Sequence, residues 1–139
     1  MHQLSPETNG YLLGLSDASN VVWTEAGMSF AMTSSAAKDL RDLNEGFIVS
    51  HHDDNFKPDQ GQLTAIAKFL QGAMGDLEHR FTSSRHLELA ETLLKRLYSD
   101  IPFDKLAVKI VAHDTGADAT LCMFRDHAAA TLSIGWAVD

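Results

Sequence analysis

The sequence predicts an α+β domain in which helices pack on one face of a mostly antiparallel sheet. Apolar residues recur with the 3.6-residue period of a helix from Leu63 to Phe81 and again from Leu87 to Leu97. Thr131–Val138 instead alternates apolar residues with small or polar ones, which is typical of a strand with one buried face. Because strands group at both ends of the chain with helices between them, we expect the element order α-β-β-α-β-α-α-β-β-β.

The first third of the chain is predicted to hold a short helix, a β-hairpin and a second helix. Ser5 before Pro6 is typical of an N-cap followed by proline at the first helical position. Val21–Glu25 and Met28–Thr33 are runs of strand-forming residues separated by an Ala-Gly pair, which favours a hairpin. A helix is then expected from residue 34 or 35 to about Asn44.

The rest of the chain is predicted to form a short strand, two helices and a three-stranded meander. Asp59 and the run Thr82–Ser84 precede the two long helical patterns and are suitable N-caps. Pro102 ends the second pattern, because the residue before a proline disfavours the helical conformation. The strands are expected at Phe47–Ser50, Leu106–Ala112, Ala119–Arg125 and Thr131–Val138.

Composition restricts the class of protein. The chain has 139 residues, with 19 acidic against 11 basic and a formal net charge of −8, and 45% of its residues are hydrophobic. That length and apolar content fit one folded domain rather than a disordered chain. The negative charge predicts that the protein binds neither a nucleic-acid backbone nor an anionic membrane surface.

The single cysteine and the N-terminal residues bear on compartment and cofactors. One cysteine, Cys122, excludes a disulfide scaffold and a zinc site built from several cysteines. Residues 1–7 carry neither a basic segment nor an apolar stretch, so no secretory signal is predicted. No apolar run is long enough for a membrane helix. We therefore expect a soluble protein of a reducing cytoplasm.

Imidazole and carboxylate side chains gather at two predicted strand ends. The loop after the third predicted strand begins with His51 and contains Asp53, and a turn near the C-terminus contains His113 and Asp114. These ligand types suit a divalent transition metal, whose bound water has a lowered pKa. A small metal-assisted hydrolase is therefore one functional hypothesis, and it requires the two segments to meet. The alternative interpretation of the loop is a solvated polar segment without a cofactor.

The turn near the C-terminus also carries a short motif. Asp114-Thr115-Gly116-Ala117-Asp118, preceded by Ile110-Val111-Ala112, resembles the active-site signature of retroviral-type aspartic proteases. Leu132-Ser133-Ile134-Gly135 resembles the glycine-containing element that supports that signature. The resemblance implies a homodimer in which Asp114 shares a proton with its symmetry mate as the catalytic group. The long helical middle has no counterpart in that family, and the same residues are also typical of a tight turn.

Acidic residues are concentrated in the first 60 residues, which hold 9 acidic and 3 basic side chains. If these carboxylates share a surface, they favour a basic protein partner. A second surface is the small-residue face of the predicted sheet, which suits either solvent or a second subunit, so a homodimer is possible. The candidate binding residues are Glu25, Asp39, Asp42, Glu45, Asp53 and Asp54.

The sequence thus favours a non-enzymatic protein-binding or regulatory module over an enzyme. It is best interpreted as an acidic inhibitor of the immunity, antitoxin-like or viral anti-host type, directed at a basic partner that handles nucleic acid. This hypothesis requires no cofactor. The metal-assisted hydrolase is the alternative, and the aspartic protease is the third.

Overall fold

The computed structural model describes residues 4–23, 27–34, 39–53, 55–75, 82–126 and 128–138. Within these ranges, three α-helices and five β-strands follow the order α-β-β-α-α-β-β-β. The predicted α+β class, with helices on one face of an antiparallel sheet, is confirmed. The elements are α1 (Pro6–Val22), β1 (Gly27–Ser34), β2 (Ile48–His51), α2 (Gln60–Ala73), α3 (Ser84–Asp100), β3 (Lys105–His113), β4 (Gly116–Arg125) and β5 (Ala128–Ala137).

The described strands form one sheet in the order β1-β5-β4-β3-β2, and each neighbouring pair is antiparallel. The predicted C-terminal meander is confirmed as β3-β4-β5. β1 pairs with β5 along its whole length, from Gly27 opposite Ala137 to Ser34 opposite Ala130. The long β1 and the short β2 are therefore the two edges of the sheet.

All three helices begin at the N-caps that the sequence predicts. The side chain of Ser5 accepts a hydrogen bond from the Thr8 backbone N–H, with Pro6 in the first helical turn. Asp59 accepts from Gln62 at the start of α2, and Ser83 accepts from the next helix in the same way. Each cap satisfies one of the backbone N–H groups that a helix start leaves without a partner.

The predicted strand over Val21–Glu25 is wrong at its start, because Val21 and Val22 are the last residues of α1. Leu12, Leu15 and Ser19 continue one buried helical face, and the Ser19 hydroxyl donates to the Ala73 carbonyl of α2. This tertiary contact outweighs the strand propensity of two consecutive valines. Trp23 is the C-cap of the same helix, and residues 24 and 25 of the predicted strand lie outside the described ranges.

The predicted helix over residues 34–44 is also wrong over its described part. Ser34 belongs to β1, and only Leu40–Asp42 forms a single 3₁₀ turn, capped by Asp39. The apolar residues of this segment pack instead against the sheet face opposite the helices, in a small cluster with buried Ala107, Cys122 and Phe124. Burial raises the pKa of the Cys122 thiol. Residues 35–38 lie outside the described ranges.

The helix predicted to reach Phe81 ends at Ala73, and Gly75 beyond it adopts a left-handed conformation with φ +85°. Glycine adopts this conformation without steric cost, which makes it a common helix stop. Residues 76–81 lie outside the described ranges. No helix of the described chain is long and apolar enough to cross a bilayer.

The main core lies between the helices and one face of the sheet. Alternate residues of each central strand point toward α2 and are almost completely buried. A fully buried leucine contributes about 2 kcal/mol through the hydrophobic effect. The core residues of the three central strands are Leu106, Val108, Ala117, Ala119, Leu121, Met123, Ala130, Leu132, Ile134 and Trp136.

One buried polar side chain interrupts this core. Gln62 of α2 is 0% exposed, and its amide nitrogen donates to the carbonyls of Ile48 at 2.8 Å and Leu106 at 2.9 Å. Its carbonyl oxygen accepts from the Ser50 hydroxyl at 2.8 Å. These bonds join α2 to β2 and β3. They give the amide nitrogen and the carbonyl oxygen of Gln62 the hydrogen-bond partners that a buried amide group needs.

We expect Gln62→Ala to lower the free energy of unfolding by about 3 kcal/mol, because two carbonyl groups and one hydroxyl lose their buried partner. Chemical denaturation measures this change. Gln60→Ala is the matched control, since Gln60 is exposed at the start of the same helix, and we expect it to change stability by less than about 0.5 kcal/mol. Equal effects of the two variants would contradict the role of Gln62.

Candidate functional site

The structure does not bring the four proposed metal ligands together. His51 is paired with Lys105 at the start of β3, whereas His113 lies at the other end of the same strand. At ~3.3 Å per residue, the two histidines are about 26 Å apart. Asp53 follows the first end and Asp114 the second, so the four side chains cannot bind one ion. Among the described residues, no group of three or more His, Cys, Asp or Glu side chains could hold a metal.

A serine and a histidine do meet at the end of β2. The Ser50 hydroxyl lies 2.6 Å from Nε2 of His52, a distance that would suit a nucleophile and its base. However, Gln62 presents only its carbonyl oxygen to Ser50, because its nitrogen is committed to two backbone carbonyls. Ser50 therefore donates its proton to Gln62, and His52 must donate from Nε2 to Ser50. The pair is consequently a structural hydrogen-bond chain and not a nucleophile with its general base.

An aromatic cluster surrounds the ring of His52. Phe56 and Phe103 lie 4.8 and 5.8 Å from it between ring centroids, and Tyr98 stacks on Phe56. Burial against these rings lowers the pKa of His52, with smaller opposing effects from nearby carboxylates. The sequence predicts a solvated polar loop at His52, because Phe103 is far away in the chain and no neighbouring residue indicates that the two rings meet.

The Asp114-Thr115 pair forms the exposed turn between β3 and β4. The Thr115 carbonyl accepts a hydrogen bond from Val138 N at 2.6 Å, which ties the turn to the end of β5. Glycine is often required in a tight turn because it adopts a positive φ, but at position 116 it is required because of a close contact. A Cβ on Gly116 would overlap the Trp136 carbonyl, so glycine permits the close approach of β5. His113 at this turn pairs with Asp118 at 2.5 Å.

The proposed acidic binding residues lie in separate places. Asp39, Asp42 and Glu45 belong to the connection between β1 and β2, and Asp53 follows β2. Hydrogen bonds from Arg41 lower the pKa of Asp39, which also forms an ion pair with that residue at 2.9 Å. Glu25 and Asp54 lie outside the described ranges. The carboxylates that meet around one shallow depression are Asp39, Asp104 and Asp126, where Arg41, Lys105, Leu40 and Phe124 also line the surface.

A pocket of about 500 Å³ lies between α2 and the end of the sheet that carries the Asp114-Thr115 turn. Phe69 of α2, Ile110 of β3, and Trp136 and Val138 at the end of β5 form its apolar walls. Polar residues from two elements also line it, namely Lys68, Gln71, His113, Asp114 and Thr115. The volume and the mixture of apolar walls with a few polar groups are typical of small-molecule sites.

Trp136 is the largest side chain of the pocket wall. Its ring stacks on Trp23 with centroids 5.9 Å apart, and Trp23 in turn donates to the Gly72 carbonyl. Gly72 allows α2 to approach, since a Cβ there would stand 2.6 Å from the Trp136 ring. Within the described part of the chain, no acceptor reaches the buried indole nitrogen of Trp136, and a hydrogen bond left unmade in a buried position costs about 1–3 kcal/mol. The alternation over Thr131–Val138 predicts one buried strand face, but no local pattern in the sequence indicates that Trp136 meets Gly72.

We expect stability to fall as the pH falls from neutral through the usual histidine pKa of about 6.5, and part of this loss to come from His52. A lowered pKa means that the folded protein binds fewer protons than the unfolded chain in this range, so protonation favours unfolding. His52→Gln should therefore weaken the pH dependence of the free energy of unfolding. His51→Gln is the matched control, because His51 is exposed and outside the Ser50–Gln62 chain. An unchanged pH dependence in His52→Gln would contradict this expectation.

The comparisons with known proteins supply no relative from which function could be transferred. The chain matches no protein-family model, no curated protein and no solved structure. Its function must therefore be argued from the side chains that the fold brings together.

Proposed function

We propose that the protein is a binding protein for a small amphipathic molecule, held in the pocket between α2 and the Asp114-Thr115 turn. The ligand has an apolar body of aromatic-ring size and an anionic end. This proposal rests on one observation. Four apolar side chains from three elements line the same pocket as one cationic side chain. This proposal keeps the non-enzymatic binding class that the sequence favours. It makes the pocket, rather than the acidic surface, the first candidate binding site.

The apolar walls support the ligand's body. Phe69 is 3% exposed and Trp136 9% exposed, so both rings are held by the core and present fixed surfaces. Ile110 and Val138 are only partly buried and lose further exposure when a ligand body covers them. Covering apolar surface contributes roughly 25 cal/mol per Å². A rigid apolar wall loses little side-chain entropy on binding, so most of this free energy is retained.

The charged residues support the ligand's anionic end. Lys68 is exposed on α2, and no carboxylate among the residues described in the structure lies within ion-pair distance of it. Asp114 contributes the opposite charge, while His113 is already paired with Asp118. An anionic group therefore favours the Lys68 side and avoids Asp114.

We expect the dye 8-anilinonaphthalene-1-sulfonate, which has an aromatic body and an anionic sulfonate, to bind the native protein with one site. Lys68→Met should weaken binding several-fold, because it removes the attractive charge and keeps the apolar stem. Asp114→Asn should leave binding unchanged or strengthen it, because it removes a repulsive charge. A titration followed by the dye's emission measures both effects.

A filling variant tests the location of the dye. Ala112→Phe places a ring in the pocket and should abolish the single site, whereas Ala128→Phe is the control at an exposed alanine outside the pocket. Denaturation curves of each variant confirm folding. Dye binding that is equal in Lys68→Met, Asp114→Asn and Ala112→Phe would overturn the proposed site.

A second proposal, a basic protein partner, rests on the depression lined by Asp39, Asp104 and Asp126. These carboxylates come from three separate segments and surround the buried Phe124. Arg41 and Lys105 at the same depression offset part of the negative charge. This surface combines an apolar floor with a charged rim, as many protein interfaces do.

For this second proposal, we expect a lysine-rich peptide to bind weakly and to lose affinity as salt concentration rises, because the attraction is screened. Asp104→Lys combined with Asp126→Lys should reduce the affinity at low salt by about tenfold, which corresponds to ~1.4 kcal/mol. Asp17→Lys is the control at an exposed position of α1. Binding that does not respond to salt, or an equal loss in the control, would contradict the acidic site.

A further inference from the structure

Among the described residues, no strand pairs with the outer edge of β1. β1 is the terminal strand of the described sheet, eight residues long, and its ladder with β5 has no bulge. It contains no charged residue and no proline. Natural sheets usually protect a long edge with charges, prolines, bulges or a covering element, because unpaired N–H and C=O groups attract further strands. The opposite edge, β2, is only four residues long.

Five residues of β1, from Ser29 to Thr33, are chemically symmetric about Ala31. Phe30 and Met32 flank Ala31 on the helix side of the sheet, and both are only half-buried. Ser29 and Thr33 flank it on the other face, where both are exposed. In an antiparallel pair centred on Ala31, Phe30 therefore faces Met32 and Ser29 faces Thr33, while Met28 lies opposite Ser34.

We infer that the protein forms a homodimer in which β1 pairs antiparallel with β1 of a second copy. The two-fold axis passes through Ala31, so Phe30 lies opposite Met32 of the partner subunit and Ser29 opposite Thr33 of the partner subunit. The two sheets then form one continuous ten-stranded sheet. Because a two-fold axis relates the two strands, this interface is isologous and closes at two subunits.

The first helix presents an apolar side at the same edge. Ser16 donates to the Met28 carbonyl, and Asn20 lies against Gly27, so this side of α1 faces β1. Tyr11 on the other side bonds to α3. At 100° per residue, Leu13 lies within ~20° of Asn20, and its side chain is 48% exposed. Leu13 is therefore directed toward the space that α1 of the partner subunit enters.

Small residues beside Leu13 permit this approach of the two helices. Gly10 and Gly14 are exposed, and among the described residues no atom outside their own helix backbone lies within 4 Å of a Cβ built on either. Packed helix axes lie roughly 8–10 Å apart, and small residues at the contact allow the shorter distances. Between Thr8 and Val22 the only charged residue is Asp17. In a chain with a net charge of −8, the β1 edge is thus a surface with little charge repulsion.

The mass of the purified protein in solution tests the inference. Light scattering after gel filtration should give twice the chain mass of 15.2 kDa at submillimolar concentration. Because the residual repulsion is between like charges, added salt should strengthen the dimer. A mass of 15.2 kDa at every concentration and salt level would overturn the inference.

Charged variants of the central residue locate the interface. Ala31→Lys and Ala31→Glu each place like charges opposite one another and should be monomeric alone, whereas an equimolar mixture should recover the dimer mass. Ser133→Lys is the matched control, because Ser133 is exposed on the same sheet face but belongs to the interior strand β5. Loss of the dimer in Ser133→Lys, or its persistence in Ala31→Lys, would assign the contact elsewhere.

Cysteine variants test the register. In Ala31→Cys the two Cα atoms lie ~4.5–5.5 Å apart, which permits a disulfide across the axis. In Thr33→Cys they are about 13 Å apart, which does not. Oxidation should therefore cross-link the first variant and leave the second uncross-linked, since native Cys122 is buried. Equal cross-linking of both variants would contradict the register.

Discussion

The hydrogen bonds of the Gln62 amide determine how the two layers of this protein fit together. A helix packed on a sheet by apolar contacts alone can slide, since such contacts have little directionality. Gln62 donates to carbonyls of two different strands and accepts from Ser50, so α2 has one position along β2 and β3. That position places Phe69 and Gly72, further along the same helix, over the far end of the sheet, where the pocket lies.

Local chemistry predicted the starts of the helices and the C-terminal meander. Ser5, Asp59 and Ser83 each accept a hydrogen bond from the N–H three residues later, so these signals need no tertiary information. The last three strands form because alternation and tight turns are also local. The same reasoning wrongly predicted a strand at Val21 and Val22, because a distant contact between Ser19 and Ala73 decides their conformation.

The candidate site could be predicted only in part. The sequence placed His51 and His113 correctly near strand ends, but it contained no information about which ends share an edge of the sheet. Antiparallel pairing of β2 with the start of β3 separates the two residues by the length of a strand. The pocket was missed for a related reason. Its walls come from α2, β3 and the last residues of β5, and their proximity depends on register and helix position rather than on any motif.

The stacked indoles of Trp23 and Trp136 give the chain an optical property as well as a wall for the pocket. They are the two tryptophans of the sequence, and their rings lie nearly parallel, with an interplanar angle of 10°. Chromophores at this distance couple their electronic transitions, and the resulting circular dichroism depends on the angle between the transition dipoles of the two rings. Since one ring follows α1 and the other lies in β5, that signal reports the docking of the two ends of the chain, independently of helix or sheet content.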